Sequence, residues 1–346
     1  MTMQTTRYGE YLNLAKILNA QNPPDADGKP RALHHHDEML FVVIHQVYEL
    51  WFKEVLHELT SARDLLSASE VPETDVPRVV ASLHRIHEIQ RICVAQFTVL
   101  ETMSPLDFLA FRDQLGSASG FQSAQFREIE ILCGLPDEKR IPYEGGSFET
   151  HFDAKARARF ERRRQEPSFR DVVHRWLMRT PIEEGFLERF LGAFETYVEN
   201  QRAIQRANTQ LGDEEHAAVD QRLDAYLASC RAFVSEGDAE VRQAALFITA
   251  YRDEPLLHWP NALLDSACEF DEWMRIWRYR HARMVERIIG VRVGTGGSSG
   301  VGYLDATAAR YKIFDDLLQS KTFLVPRSLI PDLEDRSKYA FAKDAD

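Results

Sequence analysis

Glycine and proline are scarce in this sequence. Of its 346 residues, 17 are glycine and 14 are proline, which is below the roughly 12% of the chain that average usage gives. Turn-rich all-β proteins and low-complexity chains contain more of both residues. The shortage therefore argues against these two classes. The 44% of hydrophobic residues provides enough apolar surface for a folded core.

Long hydrophobic runs and paired cysteines are also missing. Uncharged, apolar-rich runs such as residues 39–48 and 255–264 are far shorter than the ~18 residues of a membrane span. Residues 1–7 have no apolar segment typical of a signal peptide. The four cysteines include no CxxC pair, so we expect a reducing, cytoplasmic location and no structural zinc site.

Acidic residues outnumber basic ones. The 54 aspartates and glutamates against 42 lysines and arginines give a formal net charge of −12. A field of this sign repels phosphate backbones and anionic lipid surfaces. We therefore expect neither nucleic acid nor a membrane as the main partner.

Apolar residues recur at helical spacing along most of the chain, and no segment shows sustained period-two alternation. The spacing predicts helices over residues 8–22, 36–68, 79–102, 239–251 and 260–289. Helix-start signals stand at Ser104-Pro105, at Thr180 with Glu183, and at Asp238. Gly290 ends the last long helix. The fold class that we predict is all-α, a helical bundle.

The middle of the chain is more charged than its flanks. Prolines and paired glycines predict a loop over residues 134–151. The basic segment 155–164 is either a patch for a partner or a solvated helical face, and the acidic chain as a whole favours the solvated face. We interpret residues 135–255 as a helical region appended to a single domain that spans residues 1–346.

The last predicted helix carries an aromatic and thioether stripe that includes a histidine. One face presents, in order, Trp273, Trp277, His281, Met284 and Ile288. His281 is either a core histidine hydrogen-bonded to backbone or an axial ligand to a haem, whose flat apolar face suits such a stripe. The neighbouring Arg278, Arg280 and Arg283 would pair with haem propionates or with surface acids.

A second histidine lies in the helix predicted over residues 36–68. His45 follows Phe41 by one turn and precedes Glu49 by one turn. It belongs either to a solvated polar edge or to an apolar pocket, where it would exchange a hydrogen bond with a substrate N–H. Adjacent residues cannot all face one ion, so we interpret the His-His-His-Asp-Glu run at 34–38 as a helix start rather than a metal site.

An arginine and a glycine-rich run complete the set of candidates. Arg112 stands among aromatic residues before the small-residue turn 119–123. A cation in apolar surroundings needs a partner, and a carboxylate from protein or ligand matches the guanidinium group. The run 294–300 lacks the lysine of a P-loop and the dinucleotide spacing. We interpret it as a loop that folds over a small polar group.

These features occur together in one known family. The sequence resembles the tryptophan 2,3-dioxygenases over nearly its whole length, from residue 8 to residue 327. The matching segments are residues 36–41, 45–46, 49–53, 100–102, 111–112, 119–123, 277–279, 281 and 294–300. The central region resembles the longer, animal-type members of the family.

The resemblance implies a haem-dependent dioxygenase. Such an enzyme inserts both atoms of O2 across the indole C2–C3 bond of L-tryptophan and gives N-formylkynurenine, the first step of tryptophan catabolism in the kynurenine pathway. The resemblance also implies one haem b per subunit, with His281 as the axial ligand of the iron. Phe97, Ser119 and Gly120 would lie against the haem or the oxygen.

The resemblance assigns a substrate site as well. Phe41 and His45 would form the indole pocket, with His45 as the catalytic residue that hydrogen-bonds to the indole N–H. Arg112 would hold the carboxylate of tryptophan, and Thr295 its carboxylate or ammonium end. Phe108 stands where short bacterial members carry a tyrosine that helps to hold the carboxylate, so Arg112 has to do more of that work.

Family members assemble as homotetramers. By resemblance, this chain is one subunit of a dimer of dimers, and Tyr8, Tyr11 and Leu12 belong to an N-terminal helix that enters the active site of a neighbouring subunit. Two alternative functions stay open. One is a related haem oxygenase that places a single oxygen atom on a substituted indole, and the other is a haem-binding sensor or helical scaffold without turnover.

Overall fold

Helices build nearly the whole molecule. The computed structural model describes residues 6–25, 27–116, 118–142, 147–290, 292 and 300–340. The α-helices are α1 Tyr8–Tyr11, α2 Leu14–Ile17, α3 His36–Leu66, α4 Val76–Leu100, α5 Pro105–Arg112, α6 Ala124–Cys133, α7 Ala154–Arg164, α8 Phe169–Leu177, α9 Phe186–Arg206, α10 Asp213–Ser235, α11 Ala239–Ala250, α12 His258–Ile289, α13 Val301–Arg310 and α14 Asp315–Ser320. Within these residues, β pairing is limited to one isolated bridge between Pro24 and Pro30. The all-α prediction is confirmed.

Three long helices form the centre of the fold. The helix α4 packs along both α3 and α12, and Leu59, Leu83 and Phe270 at these contacts are fully buried. Each such burial stabilises the fold by about 1.5–3 kcal/mol. Among the described residues no single helix is long and apolar enough to cross a membrane. One pair of segments, Glu73–Leu100 and Pro105–Leu115, meets the criterion when both are taken together, by length and composition only, and the two are bent by 92° relative to each other.

The start of α3 confirms the interpretation of the histidine run. The His35 ring accepts a hydrogen bond from the Asp37 N–H at 3.2 Å and so caps the helix. Glu38 is fully buried, and its carboxylate accepts from the His34 N–H at 2.7 Å and from Arg31 at 2.6 Å. This run of residues therefore fixes the entry of the chain into α3.

Three of the four other predicted helix ends are correct in position. Ser104 caps α5 by accepting from the Asp107 N–H at 3.1 Å, and α12 ends at Gly290, whose φ of 63° suits glycine. The prediction at Thr180 and Glu183 is wrong. The helix α9 begins later, at Phe186, because the Glu183 carboxylate instead accepts hydrogen bonds from backbone N–H groups near the C-terminus.

The helix start predicted at Asp238 is correct in position, because Asp238 is the N-cap residue and α11 begins directly after it. The Asp238 carboxylate makes no capping hydrogen bond and lies 3.5 Å from Arg170. Near the N-terminus, the single helix predicted over residues 8–22 is two short helices, because Asn13 adopts a left-handed conformation with φ of 52°. Asparagine is one of the few residues that tolerates this conformation.

The middle of the chain packs against the same core as the long helices. Phe169, Phe190 and Leu246 are fully buried in one hydrophobic cluster with residues of α3, α4 and α12. A smaller cluster around Phe148 and Phe160 lies beneath α7. The division into one domain over residues 1–346 with an appended region over residues 135–255 stays a prediction.

Candidate active site

A cavity of about 280 Å³ lies between α3, α4, α5, α6, α12, α13 and the turn that follows α5. Its wall includes these predicted site residues: Phe41, His45, Phe97, Phe108, Arg112, Ser119, Gly120 and His281. The fold therefore brings together residues that are more than 200 positions apart. Thr295 lies outside the described residues. Tyr8, Tyr11 and Leu12 are exposed in the single chain and are not part of this wall.

Helical spacing places the side chains in pairs. Phe41 and His45 are four residues apart on α3, and Phe108 and Arg112 are four residues apart on α5, so each pair lies on one helix face. The ring of Phe41 is 5.9 Å from that of Phe108 and 5.7 Å from that of Phe111. The two helices thus build one aromatic wall that has a histidine and an arginine beside it.

His281 on α12 borders the cavity between two aromatic rings. Phe97 stacks on it with centroids 5.8 Å apart and planes 11° apart, and Trp277 lies 5.2 Å away. Neither ring nitrogen has a hydrogen-bond partner among the described residues. Burial, with nearby His45 and Arg278, lowers the pKa of His281 to about 4. The ring is therefore neutral at pH 7, and a ring nitrogen can act as a ligand.

The two ring nitrogens of His45 have different hydrogen-bonding roles. Its Nδ1 lies 2.7 Å from the carbonyl oxygen of Phe41. A carbonyl can only accept, so Nδ1 carries the proton and Nε2 is left as an acceptor. Burial lowers the pKa of His45, and Glu49 opposes this effect. A neutral histidine with an accepting nitrogen fits a donor such as an indole N–H.

The turn after α5 closes one side of the cavity. The Ser119 hydroxyl accepts from the Phe121 N–H at 3.3 Å and starts a short 3₁₀ turn, Gly120–Gln122. A Cβ added at Gly120 would have no heavy atom within 4 Å. Gly120 therefore borders open space rather than a packed neighbour.

Four arginines of α6 and α12 were missed or left open by the sequence prediction. Arg127 of α6 lines the wall, and the signal for it in the sequence was the pair Arg127 and Glu130, three residues apart on one helix. Arg278 also lines the wall, and it donates to Glu130 at 2.6 Å. Arg280 and Arg283 donate to carboxylates as well, those of Glu101 and Asp305 respectively.

Comparison with known proteins identifies the family of the chain. A family model described as tryptophan 2,3-dioxygenase matches residues 1–324. The chain belongs to this family. It is 41% identical to a tryptophan 2,3-dioxygenase 2 from Ralstonia nicotianae, over 99% of this chain and 100% of the relative. The family resemblance drawn from the motifs is therefore confirmed.

Animal relatives are equally similar. A tryptophan 2,3-dioxygenase from Anopheles gambiae is 41% identical over 96% of this chain and 89% of the relative. One from Xenopus laevis is 41% identical over 94% of this chain and 84% of the relative. In each case the similarity includes the charged middle of the chain, so residues 135–255 are part of what these relatives share.

Proposed function

We infer that this chain is an oxidoreductase that inserts both atoms of O2 across the indole C2–C3 bond of L-tryptophan and gives N-formylkynurenine. Family membership over residues 1–324 supports this reaction. The observation that carries it is a single cavity whose wall contains His281, Arg112 and His45, with Nδ1 of His45 at the carbonyl oxygen of Phe41.

The residues of the cavity fit a haem, on which the family depends. His281 presents an unprotonated nitrogen without a partner among the described residues, and the aromatic rings of Phe97 and Trp277 keep it in place. We propose one haem b per chain, with His281 as the axial ligand of the iron and with Ser119 and Gly120 beside the haem or the oxygen. The haem supplies the activation of O2 when it is bound.

The protein's own part in the reaction is to bind and orient the substrate. Phe41 and Phe108 offer flat apolar surfaces to the indole ring, and Nε2 of His45 accepts the indole N–H. In this position His45 orients the ring rather than acting as an obligatory base. Arg112 holds the carboxylate in a bidentate manner, with Thr295 at the carboxylate or ammonium end. Such positioning lowers the barrier by fixing the reacting groups in one geometry.

We also propose a homotetramer, a dimer of dimers, in which the N-terminal helix completes a neighbouring subunit's site. Tyr8 and Tyr11 expose 75% and 76% of their surfaces in the single chain, which is costly for two rings on one short helix. Ile92 and Val99, one face of α4, are also exposed. A cytoplasmic location is supported by four buried cysteines that form no disulfide.

Oxygen uptake on addition of L-tryptophan to the reduced, haem-loaded chain tests the proposed reaction. With ¹⁸O2, the product should carry two labelled atoms. One labelled atom would support an oxygenase of the single-atom type instead. Haem binding without oxygen uptake would support a sensor.

A further inference from the structure

A buried carboxylate lies behind the cavity wall. Glu130 of α6 exposes 1% of its surface. It accepts hydrogen bonds from Arg278 at 2.6 Å, from Arg140 at 2.8 Å and from Arg127 at 3.1 Å. Burial alone would raise the pKa of Glu130, but the three guanidinium groups hold it well below its usual range. The glutamate is therefore an anion surrounded by three cations.

The cluster has a side that faces the cavity and a side that faces away. Arg127 and Arg278 line the cavity, whereas Glu130 and Arg140 do not. Arg140 also pairs with Asp137 at 3.0 Å, at the protein surface. Two arginines thus border the cavity, and the carboxylate that binds both of them lies outside the cavity wall.

Packing fixes the position of Arg278. Its guanidinium group lies between the rings of Phe126 and Tyr311, at 5.1 and 4.8 Å from their centroids. It is three residues before His281 on α12, so the two side chains are neighbours on one helix. Glu130 therefore connects α6 to the part of α12 that carries the proposed iron ligand.

We propose that Glu130 is a positioning residue that holds Arg127 and Arg278 in the cavity wall and sets the electrostatic potential around His281. This inference rests on the haem binding proposed above. Glu130 touches neither substrate nor iron and acts through the two arginines. Because a more positive surrounding favours the reduced iron, the balance between these cations and Glu130 sets how easily the bound iron is reduced.

The test is the reduction potential of the haem-loaded protein, measured by spectroelectrochemical titration. Glu130→Gln removes one negative charge at nearly constant shape. We expect the equilibrium constant for reduction to rise about tenfold, or about 59 mV for a one-electron couple. Glu130→Asp keeps the charge and should change this constant less than about threefold.

Two further variants make the result specific. Glu128 lies on the same helix, is 5% exposed and is held by Arg159 and Arg163 of α7, away from the cavity. Glu128→Gln therefore removes a similar buried ion pair but should leave the reduction potential nearly unchanged. Arg140→Gln removes a positive charge behind Glu130 and should lower the potential. It provides a test of opposite sign if Glu130→Gln does not fold.

The outcomes separate the inference from the proposal on which it rests. A potential that rises in Glu130→Gln and falls in Arg140→Gln, with Glu128→Gln unchanged, supports the role of Glu130. Equal shifts in Glu130→Gln and Glu128→Gln, or no fall in Arg140→Gln, would overturn it. If instead the unaltered chain binds no haem, or binds it equally well in His281→Ala, then the proposed cofactor site is wrong.

Discussion

Two histidines held within this fold differ in what surrounds them. His281 borders the cavity, and its ring nitrogens have no hydrogen-bond partner among the described residues. His174 lies where α8, α11 and α14 meet, with Nε2 2.9 Å from Asp316 and Nδ1 3.9 Å from Asp238. Polar groups inside proteins are normally paired. His281, which has no carboxylate beside it, is therefore the histidine that we propose binds a ligand, whereas His174 lies in ionic contact with two carboxylates of the chain.

The same contrast appears in the charges. At the junction of α8 and α14, burial alone would raise the pKa of Asp316, but His174 and Arg170 lower it to about 2. Each charge there is matched by a protein group. In the cavity, His45 and His281 are neutral, and the proposed partners of their free nitrogens are an indole and an iron. At the junction the ionic partners belong to the chain itself, whereas in the cavity the proposed partners are ligands.

Replacing His281 by alanine should have the largest effect on function. The variant loses the proposed axial ligand, so the haem Soret band and the oxygen uptake with L-tryptophan should both disappear. His174→Ala is the matched control, which should lose stability but keep the Soret band. Absorption spectra of both variants after haem reconstitution measure this. A normal Soret band in His281→Ala would remove the distinction between the two histidines.

Arg112→Ala should have the next largest effect. Hydrogen bonds to a charged group contribute about 1.5–3 kcal/mol, so the KM for L-tryptophan should rise roughly 10- to 100-fold while haem content stays the same. Arg112→Lys keeps the charge but lacks the planar, two-pronged guanidinium group, so its KM should lie between those of the unaltered chain and of Arg112→Ala. Steady-state kinetics measure kcat and KM for both variants. A fall in kcat with an unchanged KM would contradict a role in holding the carboxylate.

His45→Ala should lower activity without abolishing it. One lost hydrogen bond of about 1 kcal/mol, together with the loss of packing against Phe41, predicts a decrease in kcat/KM of about tenfold. The comparison of L-tryptophan with 1-methyl-L-tryptophan, which has no indole N–H, makes the test specific. The preference for L-tryptophan should shrink in the variant. Complete loss of turnover with haem and substrate still bound would indicate an obligatory base instead.

Local signals in the sequence were enough for the long helices and for most of the cavity. The start of α3 at His35, the cap at Ser104 and the stop at Gly290 depend only on neighbouring residues. The candidate site residues Phe41, His45 and His281 were predicted from helical spacing and from motifs of the family, and all three line the cavity. Periodicity shows which face of a helix each of them occupies, and the packing of α3 and α12 on α4 brings these faces together.

Features that depend on distant partners were not predictable in this way. Glu183 looked like part of a capping box, but its carboxylate binds the backbone of Glu334 and Asp335, about 150 residues further along. Glu130 is visible in the sequence as one of three charges in α6, but its three partners come from α6, from the loop after it and from α12. Residues 8–22 were predicted as one helix because spacing alone does not show that Asn13 interrupts it.

Asp316→Asn should affect stability and leave catalysis almost unchanged. The variant removes the anion that His174 and Arg170 surround, and breaking a buried ion pair costs about 3 kcal/mol. Asp315→Asn is the matched control on the same helix turn, because Asp315 is more exposed and pairs with Lys312 at 3.3 Å. It should cost less than about 1 kcal/mol. Urea unfolding at pH 7 gives both values, and equal losses would show that the junction is not a special structural contact.

The stability that the Asp316 carboxylate contributes should depend on pH. The pKa of Asp316 is lowered from 3.8 in the unfolded chain to about 2 in the folded one, so folding favours the ionised form. This stabilisation is fully present above about pH 4 and is lost as the pH falls from about 4 toward 2. The difference in urea midpoint between the unaltered chain and Asp316→Asn should therefore shrink in that window, while oxygen uptake at pH 7 stays the same. A difference that stays constant down to pH 3 would show that the anion does not carry the stability of the junction, and the contrast with the cavity would then rest on His281 alone.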